Sequence, residues 1–376
     1  MAGRPHQWLR SGAEIPTMSD MTLPLSGAID CDIHPALPST QTLLPYLDNY
    51  WRDTMVMIMK GNSRMELNSY PPNAPLTSRP DWRPTEGKAG TDLALLRDQA
   101  LDHFALRHAI CNCLYGVMAV FNPDLGAALC RAMNDWMAKE WLDKEPRLRA
   151  SVVVSLMDPD AAAEEIERCA ADKRFVQVLV LVMGEMPLGR RAYWPIYRAA
   201  EKHKLPIGVH AGSMMRHPPT QSGYPSYLAE DYVHQAQAFA TQTISFFSEG
   251  VFAKFPELRV VLIESGVSWL PGLMWRVSKD WRGVRTEVPW IKKIPADIIR
   301  DHFRLTIQPL DAPPHAVERL LDHLGSDDLL LFATDYPHWQ FDGDDVLPAG
   351  LPDRLMQKIL IDNPLATYPR LQEGFV

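Results

Sequence analysis

At 376 residues with 46% hydrophobic content, the chain reads as a soluble globular protein, long enough for one large α/β domain or two smaller ones. A formal net charge of −8 argues against nucleic acid or an anionic membrane surface as the main partner, although a local arginine cluster can still bind an anionic substrate. Five cysteines are too few for a disulfide scaffold, and Cys111-x-Cys113 has no matching pair, so a reduced, cytoplasmic setting is expected.

Residues 1–24 carry Arg4, His6, Trp8 and Arg10 but no apolar run of signal-peptide length, and they read as an N-terminal arm. From residue 25 onward, short apolar, β-branched runs alternate with helical stretches. Strands are predicted at 27–34, 106–112, 149–156, 175–183, 205–210, 258–264, 303–308 and 329–334. Helices are predicted at 40–50, 91–104, 124–144, 159–171, 192–204, 230–247, 268–281 and 312–324. This alternation implies parallel pairing through right-handed crossovers. Continuous apolar runs such as 176–182 suit strands covered on both faces and are too short to cross a bilayer. Closure of eight such units gives a (β/α)8 TIM barrel over 25–370, with an open doubly wound sheet as the alternative.

Two connections are longer than a barrel needs. The first, an insertion over 52–90, contains Pro71, Pro72, Pro75, Pro80 and Pro84; the second, 211–227, contains Arg216, His217 and three further prolines. They follow strands one and five, so both overhang the C-terminal mouth, as lids, specificity elements or packing arms for another subunit.

The first strand carries the sharpest chemistry. Extended backbone puts Asp30, Asp32 and His34 on one face, and Pro35 then ends the ladder. A carboxylate and an imidazole two residues apart can close on one cation; read blandly, the two Asp are turn residues and the His a satisfied polar group. Three more predicted strands end in His210, Glu264 and Asp335. Strand ends favour polar residues in general, which explains any one of these but explains the set poorly. Around one mouth, Asp32, His34, His210 and Asp335 supply the mixed N/O donors that suit a divalent ion: zinc first, then manganese or iron, with room for two. Asp335 is the first candidate to take a proton from metal-activated water, beside His210 and Glu264 as catalytic groups. Glu264 could serve as base, ligand to a second metal or orienting partner of a His. Arg216, His338 and Trp339 are the candidate contacts to substrate, Arg216 as a bidentate carboxylate clamp.

These residues match a family. Asp32-Ile-His34, Leu205-Pro-Ile-Gly-Val-His210, the stretch from Gly250 to Glu264 and Phe332-Ala-Thr-Asp335-Tyr-Pro-His338 resemble the amidohydrolase-related proteins, the branch that includes aminocarboxymuconate-semialdehyde decarboxylase and the resorcylate decarboxylases. The resemblance covers about 27–370 and implies a TIM barrel, a divalent metal on the strand-one pair, His210 and Asp335, and hydrolysis or non-oxidative decarboxylation of a small carboxylated or aromatic substrate. Two features depart from it. Strand one has Asp-x-His where many relatives have His-x-His, and Glu264 stands where the decarboxylases resemble one another in carrying a His. Glu264-Ser-Gly, Trp269-Leu-Pro and Asp335-Tyr-Pro-His-Trp339 look closer to members such as the hydroxylase of α-aminoisobutyrate. That likeness implies, as the alternative, an oxygen-dependent hydroxylase with two iron or manganese ions, Glu230 or His234 as extra ligands, and an assembly of two related subunits; in a third reading, suggested by the basic, Trp-containing arm and the proline-rich insertion, this chain is itself the metal-binding but catalytically silent subunit of such an assembly. A homo- or hetero-oligomer is expected either way.

Overall fold

Eight strands follow one another in a single ring: β1 (Ile29–Ile33), β2 (His108–Cys111), β3 (Leu148–Val153), β4 (Phe175–Leu181), β5 (Ile207–His210), β6 (Val260–Ile263), β7 (Phe303–Thr306) and β8 (Leu330–Leu331). The computed structural model describes residues 25–60, 77–212, 217–338 and 345–372. Each strand pairs in parallel with the next, in the order β1 to β8. The ring closes at its seam: Cys31 N–H donates to the Phe332 carbonyl at 2.9 Å, Asp335 N–H to Asp32 at 3.1 Å and His34 N–H to Tyr336 at 2.7 Å. This is the (β/α)8 barrel, and the open-sheet alternative is excluded by those seam bonds. β4 is buried along its whole length, as its uninterrupted apolar run requires.

The helices that clothe the barrel are α1 (Asn49–Lys60), α2 (Leu93–Leu96), α3 (Pro123–Met137), α4 (Pro159–Cys169), α5 (Trp194–Lys202), α6 (Leu228–Ser248), α7 (Val251–Lys254), α8 (Leu270–Val284), α9 (Pro295–His302), α10 (Val317–Leu324) and α11 (Asn363–Thr367). Their starts are chemically marked. The side chains of Asp92, Asn122 and Asp158 accept from backbone N–H groups in the first turns of α2, α3 and α4, with Pro opening the latter two.

Local structure departs from expectation in several places. The predicted helix at 40–50 is a 3-10 segment, Thr40–Tyr46, followed by α1, which runs into the insertion as far as Lys60; Pro45 near the end of the 3-10 segment disfavours a continuous α-helix. The predicted helix at 91–104 has one α turn and then a π segment, Arg97–Leu101. The short helices α7, α9 and α11 were not anticipated, because fewer than three turns give periodicity little to register. Among the described residues no helix is long and apolar enough to cross a membrane.

The C-terminal segment closes the barrel's floor. Arg370 is 2% exposed, and its guanidinium donates to the carbonyls of Ala170, Phe175 and His203 at 2.9–3.1 Å, which fixes Tyr368 beneath β4.

Candidate metal centre

Asp32 and His34 leave β1 at the mouth, and His210 ends β5 in register with Ile263 of β6, so Glu264 emerges beside it. Glu264 and Asp335 both adopt left-handed backbone, with φ of 57° and 60°. That conformation costs a non-glycine residue about 1–2 kcal/mol, and here it turns two carboxylates inward instead of along the strand direction. Glu264 is held by its N–H donating to Thr306 Oγ1 at 3.1 Å. The loop beyond it is pinned by Asp311, which accepts from Val267 N and Ser268 N at 2.8 and 2.9 Å.

The imidazoles are oriented from behind. His34 Nδ1 lies 2.9 Å from the Asn112 carbonyl and His210 Nδ1 lies 2.8 Å from that of Ala211. A carbonyl only accepts, so each Nδ1 donates its hydrogen and each Nε2 faces the centre, where it offers a lone pair to a cation once its own proton is displaced. There, His34 Nε2 is 3.2 Å from Asp32, 3.3 Å from Glu264 and 2.9 Å from Asp335, while His210 Nε2 is 3.1 Å from Glu264 and 3.8 Å from Asp32. His338 Nδ1 donates to Asp335 Oδ1 at 2.8 Å.

Close as they are, Asp32 Oδ2, His34 Nε2, His210 Nε2, Glu264 Oε1 and Asp335 Oδ2 have no hydrogen-bond partner and are shielded from solvent. Buried polar atoms are ordinarily paired, and five orphans gathered in one cluster fit one cation or two adjacent ones. The electrostatics agree. Burial works against charge on every one of these groups. Opposing it, Asp32 and its neighbours hold His34 well above the usual imidazole range, and Glu264 and Asp32 push His210 up to about 10. Likewise His34 holds Asp32 low and His210 holds Glu264 low, whereas burial and the Glu264 charge raise Asp335 to about 6. Without an ion, the carboxylates are balanced by protons on the imidazoles; a dication would replace those protons.

Six side chains therefore converge: Asp32, His34, His210, Glu264, Asp335 and His338. Among the described residues they form two overlapping quartets, Asp32–His34–His210–Glu264 and His34–Glu264–Asp335–His338, each with its ligand atoms within 4.8 Å of one another. Asp335, expected from sequence beside Asp32, His34 and His210, shares a quartet with His34, Glu264 and His338 and not with Asp32 and His210. Arg216 and Trp339 lie outside the described residues. Glu230 is a capping residue, its carboxylate accepting from Ser226 N and Tyr227 N at the start of α6. Sequence reasoning missed Asn112, whose side-chain amide donates to Asp32 Oδ1 at 2.8 Å. Its signal was an amide at the end of an otherwise apolar strand.

Beside the cluster, His34, His338, Leu37, Leu114, Tyr115 and Pro337 wall a cavity of about 140 Å³. A second, apolar cavity of about 200 Å³ lies past the ends of β3 and β4, between Met118, Phe121, Met157, Met183 and Tyr193.

The model of the amidohydrolase family matches residues 29–370. The chain is 29% identical over 243 residues to γ-resorcylate decarboxylase of Rhizobium sp., covering 60% of this chain and 71% of the relative, and 29% identical over 239 residues to the enzyme of that name from Rhodococcus jostii, covering 59% and 70%. Among solved structures, a 2,6-dihydroxybenzoate decarboxylase complexed with 2,6-dihydroxybenzoate aligns over 93% of this chain and all of its own at TM-score 0.65 and 23% identity. A 5-carboxyvanillate decarboxylase of Novosphingobium aromaticivorans complexed with manganese covers 92% and 96% at TM-score 0.66 and 19% identity. Those structural likenesses establish the same barrel, and the match of the family model across nearly the whole of it makes this chain a member of the amidohydrolase family.

Proposed function

We propose that the chain is a metal-dependent carboxy-lyase that removes carbon dioxide from a small aromatic carboxylic acid without oxidation. The observation that carries the proposal is the set of five buried, unpartnered donor atoms converging at the barrel mouth beside a cavity of about 140 Å³, the size of a single ring. Relatives at 29% identity are named γ-resorcylate decarboxylases, which supports this choice over hydrolysis. Manganese, rather than the zinc put first from the sequence, is supported by the three carboxylates in the cluster and by the manganese that the 5-carboxyvanillate decarboxylase structure names. A divalent ion supplies a Lewis acid that polarises substrate oxygens.

The chain's own groups then have separate tasks. Asp32, His34 and His210 would hold the ion, and Glu264 or Asp335 would complete its sphere. When the bond from ring to carboxylate breaks, its electron pair stays on the ring carbon, which needs a proton. Against its burial, His338 is held up to about 9 by the Asp335 carboxylate, so it carries a proton near neutral pH and can pass it through Asp335, 2.8 Å away, whose own carboxyl is raised to about 6. Leu37, Leu114 and Pro337 keep water from the ring face. Arg216 remains a candidate clamp for the substrate carboxylate and Trp339 a candidate wall. Residues 25–370 act as one catalytic domain in a cytoplasmic setting, to which the five unpaired, buried cysteines are suited. The arm of residues 1–24 and the 52–90 insertion are suited to contacts within an oligomer.

Two overlapping quartets also favour a second reading, a two-metal, oxygen-dependent hydroxylase of a small amino or carboxylic acid in which His338 and Asp335 hold the second ion. The test is to load metal-free protein with Mn²⁺ and follow dihydroxybenzoates and methoxylated hydroxybenzoates by carbon dioxide release. Release that Asp335→Ala abolishes supports decarboxylation. Consumption of substrate only with oxygen, and without carbon dioxide release, overturns it in favour of hydroxylation.

A further inference from the structure

Behind the metal cluster, the barrel interior holds a file of polar side chains that the proposed chemistry does not use. Asn112 Nδ2 donates to Asp32 Oδ1 at 2.8 Å. Ser151 Oγ donates to Asn112 Oδ1 at 2.6 Å, and Gln177 Nε2 donates to Asn112 Oδ1 at 3.2 Å and to Ser151 Oγ at 2.8 Å. At the far end, the Tyr368 hydroxyl donates to Gln177 Oε1 at 3.0 Å. All five residues are buried.

The direction of this file is forced from one end. A carboxylate only accepts, so Asn112 must turn its amide nitrogen to Asp32 and its oxygen towards β3 and β4. That oxygen in turn requires donors, so Ser151 and Gln177 present hydrogens to it, and the Gln177 oxygen is left facing Tyr368. Every donor along the path from the barrel floor to the mouth points at Asp32. The fold makes room for it: a Cβ on Gly208 would come within 2.5 Å of the Gln177 side-chain amide, so only glycine two residues before His210 admits the glutamine.

We infer that Tyr368, Gln177, Ser151 and Asn112 are positioning residues, forming a one-way hydrogen-bond relay that supplies a donor to Asp32 Oδ1 and leaves Oδ2 free to face the ion. The inference rests on the metal-site reading above and assigns the C-terminal segment a part in building that site. It explains why Asn112, Ser151 and Gln177, on or just past neighbouring strands, are polar and bonded to one another inside the barrel. It also explains why Asp32 Oδ2 alone of that carboxylate lacks a partner.

The test is direct titration of Mn²⁺ into metal-free protein, read as a dissociation constant and not as turnover. Asn112→Ala weakens affinity by about 10–100-fold, the range for loss of an outer partner of a metal ligand. Ser151→Ala weakens it less, and Tyr368→Phe least but measurably. Tyr197→Phe, which removes a buried hydroxyl bonded to the Leu188 carbonyl on the outside of the barrel, leaves it unchanged. Thermal unfolding of the metal-free variants is measured alongside, since a merely structural role lowers stability without ordering the affinities. Should Asn112→Ala fail to fold, Ser151→Ala and Tyr368→Phe carry the test. Wild-type binding matched by Ser151→Ala and Tyr368→Phe overturns the relay alone. Wild-type protein that takes up no Mn²⁺ overturns the metal site, and the relay with it.

Discussion

His34 Nε2 stands 2.9 Å from Asp335 Oδ1 across the seam of the barrel, yet the imidazole nitrogen has no hydrogen-bond partner. The first and last strands thus deliver a donor atom each to a common point instead of to one another. His34→Ala removes an atom shared by both quartets, so it is expected to lower Mn²⁺ affinity beyond the roughly 10–100-fold typical of outer-partner loss and to abolish turnover. Equilibrium dialysis with elemental analysis checks this, and unchanged metal content in the variant would remove His34 from the site.

Metal uptake should release protons. In the metal-free protein the neighbouring carboxylates hold His210 to about 10 and His34 well above the ordinary imidazole range, so both are protonated at neutral pH. An ion that takes their Nε2 lone pairs must displace those protons, and affinity therefore rises with pH. Calorimetry in buffers of different ionisation enthalpy reads the number released; a value of zero near neutral pH would contradict the electrostatic account.

Asp30 gives a separate pH signature. Burial raises its carboxyl from 3.8 to about 7 against the Thr334 hydroxyl 2.6 Å away, which stabilises the charge. A raised carboxyl binds its proton in the folded state and loses it in the unfolded chain, so its contribution to stability is present below 3.8 and is lost as pH rises towards about 7. The expected slope is about 1.4 kcal/mol per pH unit within that window. In denaturant unfolding, the stability of metal-free wild type relative to Asp30→Asn should fall with that slope across the window, since the other titrating groups are common to both. Parallel curves would refute it.

Gly208→Ala is expected to cost about 1–3 kcal/mol by overpacking, because its new methyl would meet the Gln177 amide at 2.5 Å. Chemical denaturation measures the loss, and a variant as stable as wild type would show that Gln177 can move aside.

Much of this architecture is legible in the sequence because its signals are local. Each apolar run of a both-faces-buried strand is bounded by turn residues, and all eight strands fall within a residue of their predicted ranges. Asp32, His34, His210, Glu264 and Asp335 were visible as polar residues at those strand ends. The division of the ligands into two overlapping quartets was not, since it depends on the left-handed turns at Glu264 and Asp335, which no residue type there announces. Nor was the Asn112, Ser151, Gln177 and Tyr368 file, whose members lie up to 256 residues apart and meet only when the barrel closes. Its traces were Gln177, an amide inside a continuous apolar strand, and Asn112, an amide at the end of another.

The most direct measurement is a crystallographic anomalous-difference map collected at the manganese edge from Mn²⁺-loaded protein. The account predicts a peak roughly 2.0–2.3 Å from Asp32 Oδ2, His34 Nε2 and His210 Nε2, with a second peak between Asp335 and His338 if the two-metal reading holds. A map with no peak among these side chains, or with the ion bound elsewhere on the barrel, would contradict it.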